Sequence, residues 1–570
     1  MHKIIKMKIT IVGLTLTLFS FASKGQLNNN KRDTLQIPIP FMIAGTTGAQ
    51  ALDGGLEILK KGGNAMDAAL STSLSQIALA GGSWVSYAGL MNLVYYDANT
   101  GKVYDMNASF NTIKNENDPL SITGGVNFDF TKKGQATDGR SVLVPGYMAG
   151  LEAAHKRFGN LSFPEIFEQA ITIAEKGFTW SYGLQSQFNY RKEILNRLPE
   201  TKAVFTKSNG NQYRVGDTFI QPALAKTLRN IVKHGSKYMY TGEWGKKLVK
   251  IVQSEGGKIT MDDLKDYKVI WGEPIKGSYN GYDLYLHGLP AYGGVNIIEA
   301  LNLLEVAKLG EQGRYDQNPE VLKQLSDIIR IGDIAAYLSD MLKSVPNLDF
   351  TLTGRLKKEN ALTLYQLLKQ GYFSGTTPDV DNTPKHSDAI VVVDKWGNMC
   401  AMTHTINAVS WGGTGIFIDG ISIPDPASFQ QKEILKAGPG NRLPDPTNPG
   451  IVFKNSKPIL GFASIGAGMH AKTVTSLLAV LDYKLTPQQA IDLPGLGMLI
   501  FNPDGSMPRT IDTSEFKMGI IKKTNKLAGA GFVNDISRPG YWVGILIDSL
   551  GNLHGTRDKK LNPGGRAVGY

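Results

Sequence analysis

The last third of the chain constrains the fold most. Short apolar runs rich in β-branched residues recur there, at 389–393, 399–405, 415–418, 451–453, 459–462 and 541–547. Each is shorter than a typical helix and is bounded by turn residues, so each predicts a buried strand. Upstream the period changes. Leu52, Leu56 and Leu59 fall at helical spacing, with Lys60-Lys61 and then Gly62-Gly63 as a stop. A second helix follows Asn64, with Met66, Leu70, Leu74 and Ile77 on one face. Residues 90–96 read as a buried strand, turned by Asn99-Thr100-Gly101 into 102–106. From about 144 to 370 the pattern is mostly helical, clearest at 146–158, 163–175 and 296–307. Strands gathered in one part of the chain, with helices to cover them, predict a layered α/β sandwich. No short-period repeat or low-complexity linker interrupts it.

The chain start carries a separate message. Lys3, Lys6 and Lys8 precede an apolar run over 9–22, and Ser23-Lys24-Gly25 ends it with small residues. The run is shorter than the roughly 20 apolar residues of a membrane span, so residues 1–25 read as a removed signal peptide. A secreted or periplasmic location follows. Cys400 is the only cysteine, which excludes an internal disulfide and a lipidated start. The formal net charge of +11 falls once the signal lysines are gone. With no arginine-rich stripe and no aromatic–basic alternation, a nucleic-acid partner is not expected. The eight histidines include no pair at i,i+4, so neither a metal nor another cofactor is implied. Gly412-Gly413-Thr414-Gly415 lacks the lysine of a phosphate loop.

The chemistry concentrates at His386-Ser387-Asp388, at the mouth of the strand that runs to Asp394. These three are not a catalytic triad, because neighbouring strand side chains point to opposite faces and triad members converge from separated positions. A different use needs only Ser387. If the bond after His386 is cut, Ser387 holds both a hydroxyl and a free amine. An N-terminal amine, with an ordinary pKa of about 7.7–8.0, is a competent base for a weak alcohol nucleophile. The plain alternative is a serine that caps a turn.

Five further blocks stand in a recognisable order. They are 55–69 (GLEILKKGGNAMDAA), 144–151 with 155–159, 256–260 with Asp263-Leu264 and Asp266-Tyr267, 394–407, and 555–570. Together they resemble the γ-glutamyltransferase (glutathione hydrolase) family. The resemblance implies a four-layer αββα N-terminal-nucleophile fold and self-cleavage into a large subunit, 26–386, and a small one, 387–570. It also implies catalysis by the residue that cleavage exposes. That residue is usually threonine; the register of Val392-Val393-Asp394 puts Ser387 there, which keeps the attacking oxygen. Thr405 and Asn407 match the residues that orient the nucleophile and touch substrate. Ser464, Gly466 and Ala467 lie in the stretch that resembles the oxyanion loop, where two backbone N–H groups, at Gly466 and Ala467, stabilise a tetrahedral oxygen and Ser464 is expected to contact substrate.

The resemblance fails at the substrate end. Asn107 stands where the family grips an α-carboxylate with arginine, so a bidentate clamp is missing. Asp425 is displaced from the acidic position that holds the α-amino group, and Asp445-Pro446 replaces a pair of serines. Arg442 or Arg140 could supply a new clamp, but a surface or structural role is the stronger reading for either. Three functions stay open: cleavage of γ-glutamyl amides such as glutathione, an acylase for a different amide, and an envelope protein that never cleaves itself. The expected partners are a small amide or peptide substrate and the two subunits of one precursor.

Overall fold

A computed structural model describes residues 41–570, apart from 125–135, 336–337, 340–341, 372–386, 501–505, 528–530, 536–538 and 559–563. The expected signal peptide and His386 lie outside the described residues.

Two large sheets carry the fold. The first has seven strands in the order Gly564–Gly569, Met42–Thr47, Ser387–Val393, Met399–Thr405, Leu90–Asp97, Lys102–Ala108 and Ile270–Gly272. The second has six: Leu553–Gly555, Gly540–Ile547, Lys457–Gly466, Gly450–Lys454, Tyr282–Leu286 and Ile275–Tyr279. Neighbours in both are antiparallel.

The strand Ser387–Val393 shows why the sheets stack. It is buried at every position, so both faces must be covered. Ala389, Val391 and Val393 join Ile451, Ala463, Ile465 and Val543 in one apolar layer between the sheets. Ile390 and Val392 point the other way, into a core shared with the helices Ala49–Lys60, Ala65–Leu79 and Tyr147–Phe158. The outer face of the second sheet, with Leu460, Phe462 and Trp542, packs on the helices Gly293–Ala307, Pro319–Asp333 and Met469–Leu481. Helix, sheet, sheet and helix make four layers, as the sequence led one to expect.

The helix Ala65–Leu79 starts cleanly: Asn64 and Asp67 form a reciprocal capping box. The sheets approach closely at Gly461, where an added Cβ would lie 2.8 Å from Val391 Cγ1. The mostly helical reading of the middle segment needs amendment. It contains Ile270–Gly272, Ile275–Tyr279 and Tyr282–Leu286 as well.

Candidate active site

Two contacts fix which ends of the sheets meet. At one end the rings of Tyr96 and Phe453 lie edge to face at 5.4 Å. At the other, Asn92 Nδ2 donates to Thr447 Oγ1 at 2.9 Å. Along the first sheet Asn92 is opposite Thr403, and Thr403 is opposite Ala389. The second end is therefore where Ser387 opens its strand and where Lys457–Gly466 finishes at the glycine loop. Parity puts Ser387 on the inter-sheet face with Ala389 and Val391, at the mouth of the cleft.

Ser387 is 6% exposed, and its cross-strand partner is Thr405. The Thr405 hydroxyl accepts the backbone N–H of Asn407 at 3.0 Å, which holds Asn407 in the left-handed region at φ 48°. Asparagine tolerates that conformation better than most residues. Asn407 Nδ2 and Thr403 Oγ1 are buried without a partner among the described residues, and Thr403, opposite Ala389, lies on the same face of the sheet as Ser387. Gly466 has φ 87°, and a Cβ there would stand 2.7 Å from the carbonyl oxygen of Pro539. Only glycine suits that position. Ala467 and Gly468 follow and lead directly into the helix Met469–Leu481.

Behind the strand lies an unexpected charge arrangement. Asp388 faces the helical layer and accepts from Thr47 Oγ1 at 2.5 Å, Trp84 Nε1 at 3.1 Å and Thr46 Oγ1 at 3.3 Å. Burial lifts its carboxyl to about 7, against the pull of these donors. Its cross-strand neighbour His404 is pushed down to about 3 by burial, and its Nε2 meets Gln76 Oε1 at 2.8 Å.

The substrate end is occupied by the protein itself. Arg442 donates from Nε to Asn111 Oδ1 at 2.8 Å and from Nη1 to both oxygens of Asn107 at 2.8 Å. Its Nη2 reaches the Lys268 carbonyl at 2.5 Å, and the guanidinium lies over the Tyr267 ring. It braces the 107–111 and 267–268 stretches against its own segment, which corrects the expectation of an anion clamp. Arg140 is likewise spent, bidentate on Glu116 at 3.0 and 2.8 Å. Asn107 Nδ2 is 3.4 Å from His287 Nε2, and His287 Nδ1 is 2.6 Å from Asp105. Burial, the largest single influence, favours neutral His287, but the charge and hydrogen bond of Asp105 together with the charge of Asp445 raise the pKa above the ordinary value. Asp445 accepts from Asn92, Ser109 and Thr447. Asn92, Asp105, His287 and Thr447 did not stand out in the sequence, since a cross-sheet network leaves no spacing signal.

Two other expectations change. Ser464 has the parity of Phe462, so it faces the outer helices, where its hydroxyl donates to Asn448 Oδ1 at 2.7 Å. It does not face the cleft. Asp425 is 1% exposed and accepts from Thr137 and Ser428 at 3.0 Å each. Burial raises its pKa, opposed by the charge of Arg191. Among the described residues no group of His, Cys, Asp or Glu is placed to hold a metal, and no helix is long and apolar enough to cross a membrane.

A strand-opening serine at the mouth of an αββα cleft is the arrangement of the N-terminal-nucleophile hydrolases. A cephalosporin acylase from Bacillus halodurans shares this fold: TM-score 0.76, 20% identity, covering 97% of this chain and 99% of that one. Residues 51–503 match the family model for gamma-glutamyltranspeptidase, and the chain belongs to that family of hydrolases and acyltransferases. A glutathione hydrolase proenzyme from a Pseudomonas species is 29% identical over 474 residues, 77% of this chain and 78% of that one. An acylase proenzyme from another Pseudomonas strain is 26% identical over 456 residues, 77% of this chain and 79% of that one.

Proposed function

We propose that the chain is a self-processing amide hydrolase with Ser387 as nucleophile, acting on an acyl group that lacks the charged α-carbon of γ-glutamate. In processing, Ser387 Oγ attacks the carbonyl carbon of His386. The amide nitrogen leaves as the Ser387 amine, and water then hydrolyses the ester. In turnover the amine takes the proton from Oγ as Oγ attacks the substrate carbonyl. That proton passes to the leaving amine, and water releases the acyl group. The tetrahedral oxygen would be met by the backbone N–H groups of Gly466 and Ala467, just ahead of a helix N-terminus. Asn407 Nδ2, buried and unpartnered, is available to the substrate. Thr405 orients Asn407 through its backbone.

The substrate reading rests on one observation: the Arg442 donors and Asn107 are already bonded to each other and to the protein. An α-carboxylate placed there would have to break charge-assisted bonds worth about 1.5–3 kcal/mol each. The relatives named acylase suit this reading; those named glutathione hydrolase favour γ-glutamyl amides, glutathione among them. Comparing γ-glutamyl and simple acyl anilides separates the two. We expect kcat/KM at least about tenfold higher for the simple acyl compound, a difference of about 1.4 kcal/mol. The reverse preference would overturn the substrate reading. Ser387→Ala is expected to stay whole and to hydrolyse neither; an active Ser387→Ala protein contradicts the nucleophile. An exported enzyme, released from residues 1–25, completes the proposal.

A further inference from the structure

The strand that carries Ser387 also holds a buried acid that the chemistry above leaves unused. Asp388 is 0% exposed, and among the described residues its partners are neutral: Thr46, Thr47 and Trp84. They come from the end of Met42–Thr47 and from the turn before Leu90–Asp97, so two segments converge on one carboxyl group. Burying an acid without a cation costs stability that a neutral side chain would not. The surroundings are closed as well. Gln76 Nε2 donates to the Thr47 carbonyl at 2.9 Å, while its Oε1 meets His404.

We infer that Asp388 is a positioning residue for the Ser387 amine: it ties the start of the strand to Thr46, Thr47 and Trp84, and it sets a negative charge beside the amine. The inference rests on the reading that cleavage makes Ser387 a chain terminus. Consecutive Cα atoms are about 3.8 Å apart, which keeps the carboxyl group within about 8 Å of that nitrogen. In a water-poor site a charge at this range acts strongly. Above about pH 7, where the buried carboxyl group ionises, the anion favours the ammonium form, so it sets the pH at which the amine becomes a base.

The other groups around Asp388 leave this role to it. Across the strand pair stands His404, which burial keeps neutral. Behind it, the Tyr147 hydroxyl is held protonated by burial. The strand Met42–Thr47 offers Thr46 and Thr47, the helix Ala65–Leu79 offers Gln76, and the turn offers Trp84. None of these four titrates.

Asp388→Asn tests the idea in the processed protein. The hydroxyls of Thr46 and Thr47 accept as readily as they donate, so the amide can keep its oxygen towards Trp84 and its NH2 towards them. The acid limb of the kcat/KM profile is expected to move to lower pH by about one unit. At one unit below the wild-type midpoint, the variant then keeps about five times the wild-type fraction of its plateau. Thr47→Val removes one donor but keeps the acid, and should move the limb the same way by less. If both variants lose activity evenly at every pH while the limb stays put, Asp388 is only structural and the inference falls. A wild-type protein with no terminus at Ser387 would overturn the self-cleavage reading instead, and N-terminal sequencing shows which has failed.

Discussion

Single residues carry the balance between stability and chemistry at this site. Asp388 illustrates it, since burial lifts its carboxyl to about 7. The folded protein therefore holds a proton that the unfolded chain has already released between about pH 4 and 7. The contribution of this group is most favourable below the ordinary carboxylate range, declines as pH rises, and levels off above about 7. Over that interval it amounts to about 4 kcal/mol. Asparagine has no such dependence. Asp388→Asn should therefore gain stability relative to wild type between pH 5 and pH 8, read as denaturant midpoints; curves that stay parallel would contradict this. At the same scale the sequence was readable where register alone decides. Counting back from Asp394 puts Ser387 at the mouth of its strand, where the structure has it, paired with Thr405. It was unreadable where partners come from other segments. Arg442 is a brace because Asn107, Asn111 and Lys268 surround it, and no spacing announces that. Ser464 was misassigned because its loop was considered without the alternation of the strand that precedes it.

Among the elements, the strands that periodicity found are those with buried β-branched runs. Ser387–Val393 and Gly540–Ile547 are examples. Those it missed are held by their partners more than by their own composition. Gly564–Gly569 contains three glycines and becomes a strand by pairing along Met42–Thr47. Ile275–Tyr279 and Tyr282–Leu286 form a hairpin around Asn280-Gly281, a turn signal submerged in a helical region. The glycine loop between Lys457–Gly466 and Met469–Leu481 gives the sharpest test at this scale. Gly466→Ala puts a Cβ 2.7 Å from the Pro539 carbonyl oxygen at a φ of 87°. Relieving that contact shifts the loop, and we expect a cost of about 1–3 kcal/mol in stability. A loop that binds the tetrahedral oxygen should also lose about 10² in kcat. Loss of stability with unchanged kcat would remove the loop from the mechanism.

Across the whole molecule, a cut before Ser387 would divide the chain but not the fold. Met42–Thr47, from the larger piece, is flanked in the first sheet by Gly564–Gly569 and Ser387–Val393 from the smaller one. On the other side, Met399–Thr405 pairs with Leu90–Asp97. The second sheet joins Gly450–Lys454 to Tyr282–Leu286 in the same way. Separating the pieces would tear backbone ladders in both sheets and open the apolar layer between them. The two chains should therefore run apart in denaturant yet elute together under native conditions. Everything proposed for the chemistry depends on Ser387 acquiring a free amine. Edman sequencing of the smaller chain from active protein measures that directly. The predicted readout is Ser-Asp-Ala-Ile-Val, from Ser387 onward; full activity in protein whose chain is still continuous through 386 and 387 would contradict it.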